Sequence, residues 1–116
     1  MSTITTGVIH VLDVFMVLPG RLDDVRRRVE DEYRPLMADL DVRLAHTWLA
    51  PAVELHDQPT ELVLLWELRD TAAFWRMRTT AARDPRVAAF WDGIAPMLAG
   101  RERKLMCDPA DETVLR

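Results

Sequence analysis

One stretch limits the folds open to this chain more than any other: Glu61-Leu-Val-Leu-Leu-Trp-Glu-Leu-Arg-Asp70. Leu62, Val63, Leu64, Leu65 and Trp66 run without a polar break, so a strand here needs cover on both faces. Asp70 then offers an N-cap oxygen to a helix starting near Thr71. In a chain of 116 residues, a strand covered on both sides is a central one. One face packs on the chain's own helices, and the other requires a second cover.

The remaining elements arrange themselves around that strand. After a polar lead, Ser2–Thr6, the segment Val8 to Val17 is rich in strand-forming residues and stops at Pro19-Gly20. Alternation gives it one face of His10, Leu12, Val14 and Met16 and another of Ile9, Val11, Asp13, Phe15 and Val17. Asp13 is the odd member, because a carboxylate between Val11 and Phe15 must find a cationic partner or lose its charge. One of the many arginines is the expected partner.

Leu22 to Leu40 carries an apolar stripe of Leu22, Val25, Val29, Tyr33, Leu36, Met37 and Leu40 at helical spacing, with its charged residues on the wet side. Pro35 interrupts it, since the ring meets the carbonyl of Asp31, and a kink or restart is expected. Val42 to Val53 reads as a second strand, with Val42, Leu44, His46, Trp48 and Ala50 on one face and Pro51 suited to the end of an edge strand. After the central strand, Phe74, Trp75 and Met77–Arg78 fit a short helix. Asp84-Pro85 opens another, with the stripe Val87, Phe90, Trp91, Ile94, Met97 and Leu98, which Pro96 and Gly100 end. Arg101 to Cys107 is the last strand, and its charge suits an edge or a partner surface. Asp108 to Arg116 is left as a tail.

Strand, helix, strand, strand, helix pair, strand is the βαββαβ order of a ferredoxin-like α+β domain, and residues 1–116 are expected to form one domain. Its four-stranded antiparallel sheet would carry the helices on one face. The other face would then show residues such as Leu62, Leu64, Trp66 and Trp48, a larger apolar area than a soluble monomer tolerates. Two sheets closed face to face give a homodimer around an interior barrel, with a two-fold contact as the simplest solution.

Several function classes drop out. A formal net charge of −4 gives no electrostatic footprint for nucleic acid or an anionic membrane. A single cysteine, Cys107, excludes an internal disulfide and a thiolate metal cluster. No apolar run approaches the roughly eighteen residues of a membrane span. Met1–Thr6 has neither the basic start nor the apolar core of a signal peptide, so the cytoplasm is the expected compartment. Gly-rich phosphate loops, nucleophile elbows and His-Glu-x-x-His are absent.

Val17-Leu-Pro-Gly20, Leu65-Trp66-Glu-Leu-Arg-Asp70, Arg83-Asp84-Pro85 with Phe90-Trp91, and the closing Glu102-Arg-Lys-Leu105 resemble the NIPSNAP-like and antibiotic-biosynthesis-monooxygenase-like families of dimeric α+β barrels. The likeness covers nearly the whole chain in order and spacing. It departs in the first strand, where NIPSNAP-like proteins usually carry Glu, Arg and Tyr and this chain has Val11, Asp13 and Phe15. The resemblance implies a menu of cofactor-independent oxygenases of aromatic polyketides, polyketide cyclases, muconolactone-type isomerases, haem-degrading enzymes and haem-dependent dehydratases, beside many members with no known activity; secondary metabolism is the expected setting.

The residues point to a small-molecule site without a metal or other cofactor. The three histidines, His10, His46 and His56, lie far apart in sequence, and none falls in a predicted helix where a haem ligand would be sought. An apolar interior with a few polar groups would combine His46, Asp13 and His10 as candidate catalytic residues with Trp48, Trp66, Tyr33 and Leu64 as candidate substrate-binding residues. An imidazole there could take an acidic proton from a phenol or β-dicarbonyl, with Asp13 orienting it or acting as base. An indole N–H of Trp48 or Trp66 could steady the resulting enolate oxygen. Three functions stay open: an oxygenase, cyclase or isomerase acting on a hydrophobic cyclic or aromatic substrate; a non-catalytic binder of an apolar metabolite; and a structural dimer module whose interior is filled by its own side chains.

Overall fold

The computed structural model describes residues 7–110; the polar lead Ser2–Thr6 and the tail beyond residue 110 lie outside the described residues. Strands β1 (Ile9–Val17), β2 (Arg43–Ala50), β3 (Thr60–Leu68) and β4 (Leu98–Met106) form one antiparallel sheet in the order β2-β3-β1-β4. Helices α1 (Leu22–Arg28) and α2 (Arg34–Asp39) are joined by a π-helical turn, Val29–Tyr33. Helices α3 (Thr71–Arg83) and α4 (Pro85–Ile94) precede a 3₁₀ turn, Ala95–Met97, that leads into β4. This is the ferredoxin-like α+β fold expected from the element order.

Local chemistry places the boundaries. Asp70 caps α3, its Oδ1 accepting the Ala73 N–H at 2.8 Å, and Asp84 caps α4 by accepting the Arg86 N–H at 2.9 Å. Pro85 takes the first position of α4, where an N–H would have no partner. Gly20 follows β1 at φ 80°, a left-handed turn conformation that a side chain would strain.

The helices cover one face of the sheet. Alternate residues of β1 (Ile9, Val11, Phe15, Val17) and β3 (Leu62, Leu64, Trp66, Leu68) are buried there with Val25, Val29, Tyr33, Phe74, Phe90 and Ile94. The opposite face carries Leu12, Val14, Met16, Val63 and Leu65, all half-buried, beside Trp48, which is 48% exposed.

Three expectations are corrected. Leu62, Leu64 and Trp66 belong to the helix-covered face, and Val63 and Leu65 to the open one. A run apolar at every position carries no parity signal, so nothing local distinguishes the two assignments. In β2 a bulge between Leu44 and His46 turns the strand over. Leu44 therefore pairs with Trp66 on the helix side while His46 and Trp48 pair with Leu65 and Val63 on the open side. Finally, β4 starts at Leu98, so Gly100 is a strand residue opposite Met16 rather than a helix stop.

Candidate functional site

Asp13 is 1% exposed and sits in the middle of β1 on the helix side. The antiparallel register sets Arg103 of β4 directly opposite it. Arg103 donates from Nε to Asp13 Oδ1 at 2.7 Å and from Nη2 to Oδ2 at 3.0 Å, a bidentate pair. From the other neighbouring strand, Trp66 donates its indole N–H to Asp13 Oδ2 at 3.1 Å. The buried carboxylate thus has the arginine partner that its sequence position demanded.

Tyr33 completes the group, its hydroxyl accepting a further hydrogen bond from Arg103 Nη2 at 3.3 Å. The π turn sets its position. Pro35 has no N–H and cannot close the α-helical bond to Asp31, and one residue earlier the Arg34 N–H reaches back to the Val29 carbonyl. The widened turn carries Tyr33 into an aromatic cluster. Its ring stacks on Phe90 at 4.6 Å and meets Trp66 and Trp91 edge-on at 5.4 and 5.1 Å.

Beside this network lies a cavity of about 490 Å³ bordered by Asp13, Trp91, Arg101, Glu102 and Arg103. Arg101, two residues before Arg103 and opposite Phe15, lies with its guanidinium carbon 4.0 Å above the centre of the Trp91 ring. Glu102 between them pairs with Val14, so its side chain turns to the open face. The cavity therefore has an aromatic wall, two guanidinium groups and one carboxylate.

Burial opposes the charge of Arg103, but its hydrogen bonds and ionic attraction to Asp13, with a smaller contribution from Tyr33, outweigh that, and its pKa stands above the ordinary arginine value. The side chain as a whole is 39% exposed, its inner edge on Asp13 and the rest toward the cavity. Burial also raises the Tyr33 pKa; the Arg103 charge and hydrogen bond oppose this, and the Asp13 charge reinforces it.

Of the residues singled out from the sequence, Asp13, Trp66 and Tyr33 come together here. Leu64 is a core residue, 1% exposed, beneath the same helices. His10, His46 and Trp48 do not join them, because the sheet lies between. On the open face, His10 Nδ1 stands 3.8 Å from Glu67, which also pairs with Arg43, while His46 stacks on Trp48 at 4.9 Å. No histidine is helical, and the cavity beside Trp91 has no imidazole on its wall to offer a haem iron. Arg101, Arg103 and Trp91 were not singled out. Alternation of Arg101 and Arg103 on one strand face was the available signal, and it gains meaning only once β4 is registered against β1.

No protein-family model and no curated protein matches the sequence. Solved structures do match in shape. A NIPSNAP-domain protein from Burkholderia xenovorans aligns with a TM-score of 0.69 at 20% identity, over 88% of this chain and 95% of its own. A NIPSNAP-family protein of unknown function from Agrobacterium tumefaciens C58 aligns with a TM-score of 0.69 at 19% identity, over 96% of each chain. An antibiotic-biosynthesis-monooxygenase-like protein from Caulobacter crescentus CB15 gives 0.65 at 13% identity, over 95% of this chain and 93% of its own. The chain thus has the fold shared by NIPSNAP-domain proteins and antibiotic-biosynthesis-monooxygenase-like proteins, as the resemblance of its short motifs implied.

Proposed function

We propose that the chain is a cofactor-independent enzyme of small-molecule metabolism that handles a cyclic or aromatic substrate in the cavity between Trp91 and β4. One observation carries this reading: Arg103 is locked by Asp13 and aimed, with Arg101, into a cavity with an indole wall. Fixed guanidinium donors favour a substrate oxygen in its anionic form without reorganising during the reaction. A phenol or β-dicarbonyl bound there as its phenolate or enolate is electron-rich, the state from which oxygenation, ring closure or double-bond migration proceeds. Asp13, Trp66 and Tyr33 act as positioning residues that hold Arg103. The fold likeness to a monooxygenase-like protein agrees with this reading and does not specify the reaction.

A specific observation favours a second reading, a binder without conversion. Asp13 accepts three hydrogen bonds, from Arg103 Nε, Arg103 Nη2 and Trp66, so the buried carboxylate beside the cavity is already engaged. The two readings part in one assay. Purified protein is incubated with polycyclic phenols and cyclic β-diketones while dissolved oxygen and product masses are followed. Turnover that Arg103→Gln removes, with the fold retained by circular dichroism, supports the enzyme. Saturable binding with no product supports the binder, and neither response removes the site.

Assembly is part of the proposal. The open face of Leu12, Val14, Met16, Val63, Leu65 and Trp48 is apolar across the central strands, and a second copy covers it in our reading. His10 and His46 would then line the interior between two sheets, apart from the Arg103 cavity.

A further inference from the structure

The two arginines of the cavity are not equivalent. Nε and Nη2 of Arg103 are committed to Asp13 and Tyr33, and its charge is offset by a carboxylate at 2.7 Å. Arg101 has no ion pair or side-chain hydrogen bond among the described residues, and its nearest aromatic partner is Trp91. A stack of this kind uses the flat face of a guanidinium and none of its N–H donors. The indole thus holds the Arg101 guanidinium beside the cavity without engaging its N–H donors, which a carboxylate can take as a fork. Among the described residues, Arg103 has a carboxylate partner in Asp13 and Arg101 has none, so Arg101 is the cation left open to an acidic ligand.

Spacing adds a second constraint. Arg101 and Arg103 are two residues apart on one strand face, so their α-carbons lie roughly 7 Å from each other. A small ring with oxygen-bearing groups on opposite sides matches that separation.

Building on the reading of this cavity as the substrate site, we propose that the substrate is a cyclic or aromatic carboxylic acid. Its carboxylate is read by Arg101, and its phenolic or enolic oxygen, across the ring, is met by Arg103. Arg101 is thus the residue that sets specificity for an acid over a neutral ring.

The test uses the intact wild-type protein with 4-hydroxybenzoate and its neutral analogue 4-hydroxybenzamide, followed by calorimetry and tryptophan fluorescence. The acid is expected to bind at least about tenfold more tightly than the amide, the scale of one charge-assisted bidentate contact. Arg101→Gln should bring that ratio close to one. Arg101→Lys, which keeps the charge but not the fork, should retain part of the preference. Equal binding of acid and amide by the wild type overturns the carboxylic acid class and leaves the cavity as a ring site. A preference that survives Arg101→Gln overturns the role of Arg101. Binding of neither ligand overturns this inference together with the site reading beneath it. Because Arg101 is exposed, both variants are expected to melt like the wild type, which separates a binding loss from unfolding.

Discussion

Arg103 and Asp13 face each other across the β1–β4 ladder, with both carboxylate oxygens taken by one guanidinium at 2.7 and 3.0 Å. The pair lies on the rim of the helix-covered core, with the carboxylate inside and the arginine partly in solvent. Removing one member leaves the other charge with poor solvation. Asp13→Asn should therefore destabilise the fold by about 2–3 kcal/mol, somewhat below a fully enclosed pair because Arg103 is 39% exposed. Urea denaturation measures it. The double variant Asp13→Asn with Arg103→Gln should cost less than the sum of the two single changes, and strict additivity would show that the pair is not coupled.

Tyr33 is the only tyrosine in the chain, which makes its ionisation directly visible in the near-ultraviolet spectrum. Its folded pKa lies above the ordinary value of 10.0 because the ring is buried, despite the opposing Arg103. The sign follows from linkage. The unfolded state loses its proton first, so this contribution to stability is whole below pH 10 and fades as pH rises through the folded value. A native titration midpoint above that of the urea-unfolded chain is the expected result. A native midpoint at or below it would show that Arg103 dominates. Tyr33→Phe removes the signal and costs about 0.5–1.5 kcal/mol for the lost acceptor, while keeping the stack on Phe90.

Much of this arrangement was legible in the sequence where a single residue carries its own physical demand. Asp13 required a cation, Pro35 required a break, and Asp70 and Asp84-Pro85 required helix starts. Each was read from local chemistry and each has its structural answer. The parity of β3 was not legible, because Leu62 to Trp66 offers an apolar side chain to either face. The β2 bulge after Leu44 leaves no trace in composition. The site suffered most from this. Asp13 and His10 lie three positions apart in one strand, an odd step that puts them on opposite sides of the sheet. Arg101 and Arg103 looked like the charge of an edge strand, and β4 is an edge strand. Only the register against Phe15 and Asp13 shows that the same two residues turn inward beside Trp91.

Gly93 of α4 packs against α1, and a β-carbon there would collide with the Arg28 guanidinium. That group is the far end of a flexible side chain whose other partner is Glu32, four residues on, at 2.6 Å. Gly93→Ala is therefore expected to push Arg28 outward and to weaken an exposed pair worth about 0.2–0.5 kcal/mol. The gain in helix propensity, up to about 1 kcal/mol, matches or exceeds that. A melting temperature unchanged or slightly raised is the expected outcome. A clear drop would mean that Arg28 has nowhere to go and that close approach of α1 and α4 depends on the missing side chain.

The open face makes the sharpest demand on assembly. Leu65 lies on β3 and faces away from the helices, with Leu12 of β1 on one side and His46 of β2 on the other. Both β1 and β3 are inner strands, so Leu65 is close to the middle of any two-fold contact between two such sheets. Native mass spectrometry of the wild type should give twice 13.4 kDa. Leu65→Glu brings two carboxylates together in a desolvated contact, and the expected product is a folded monomer with unchanged far-ultraviolet circular dichroism. The Arg103 cavity lies across the sheet from Leu65, so that monomer should still bind a ring acid if the cavity is complete within one chain. Loss of binding together with the dimer would show instead that a second copy closes the cavity. A wild type that is monomeric at micromolar concentration would leave the apolar face without its cover and refute the pairing.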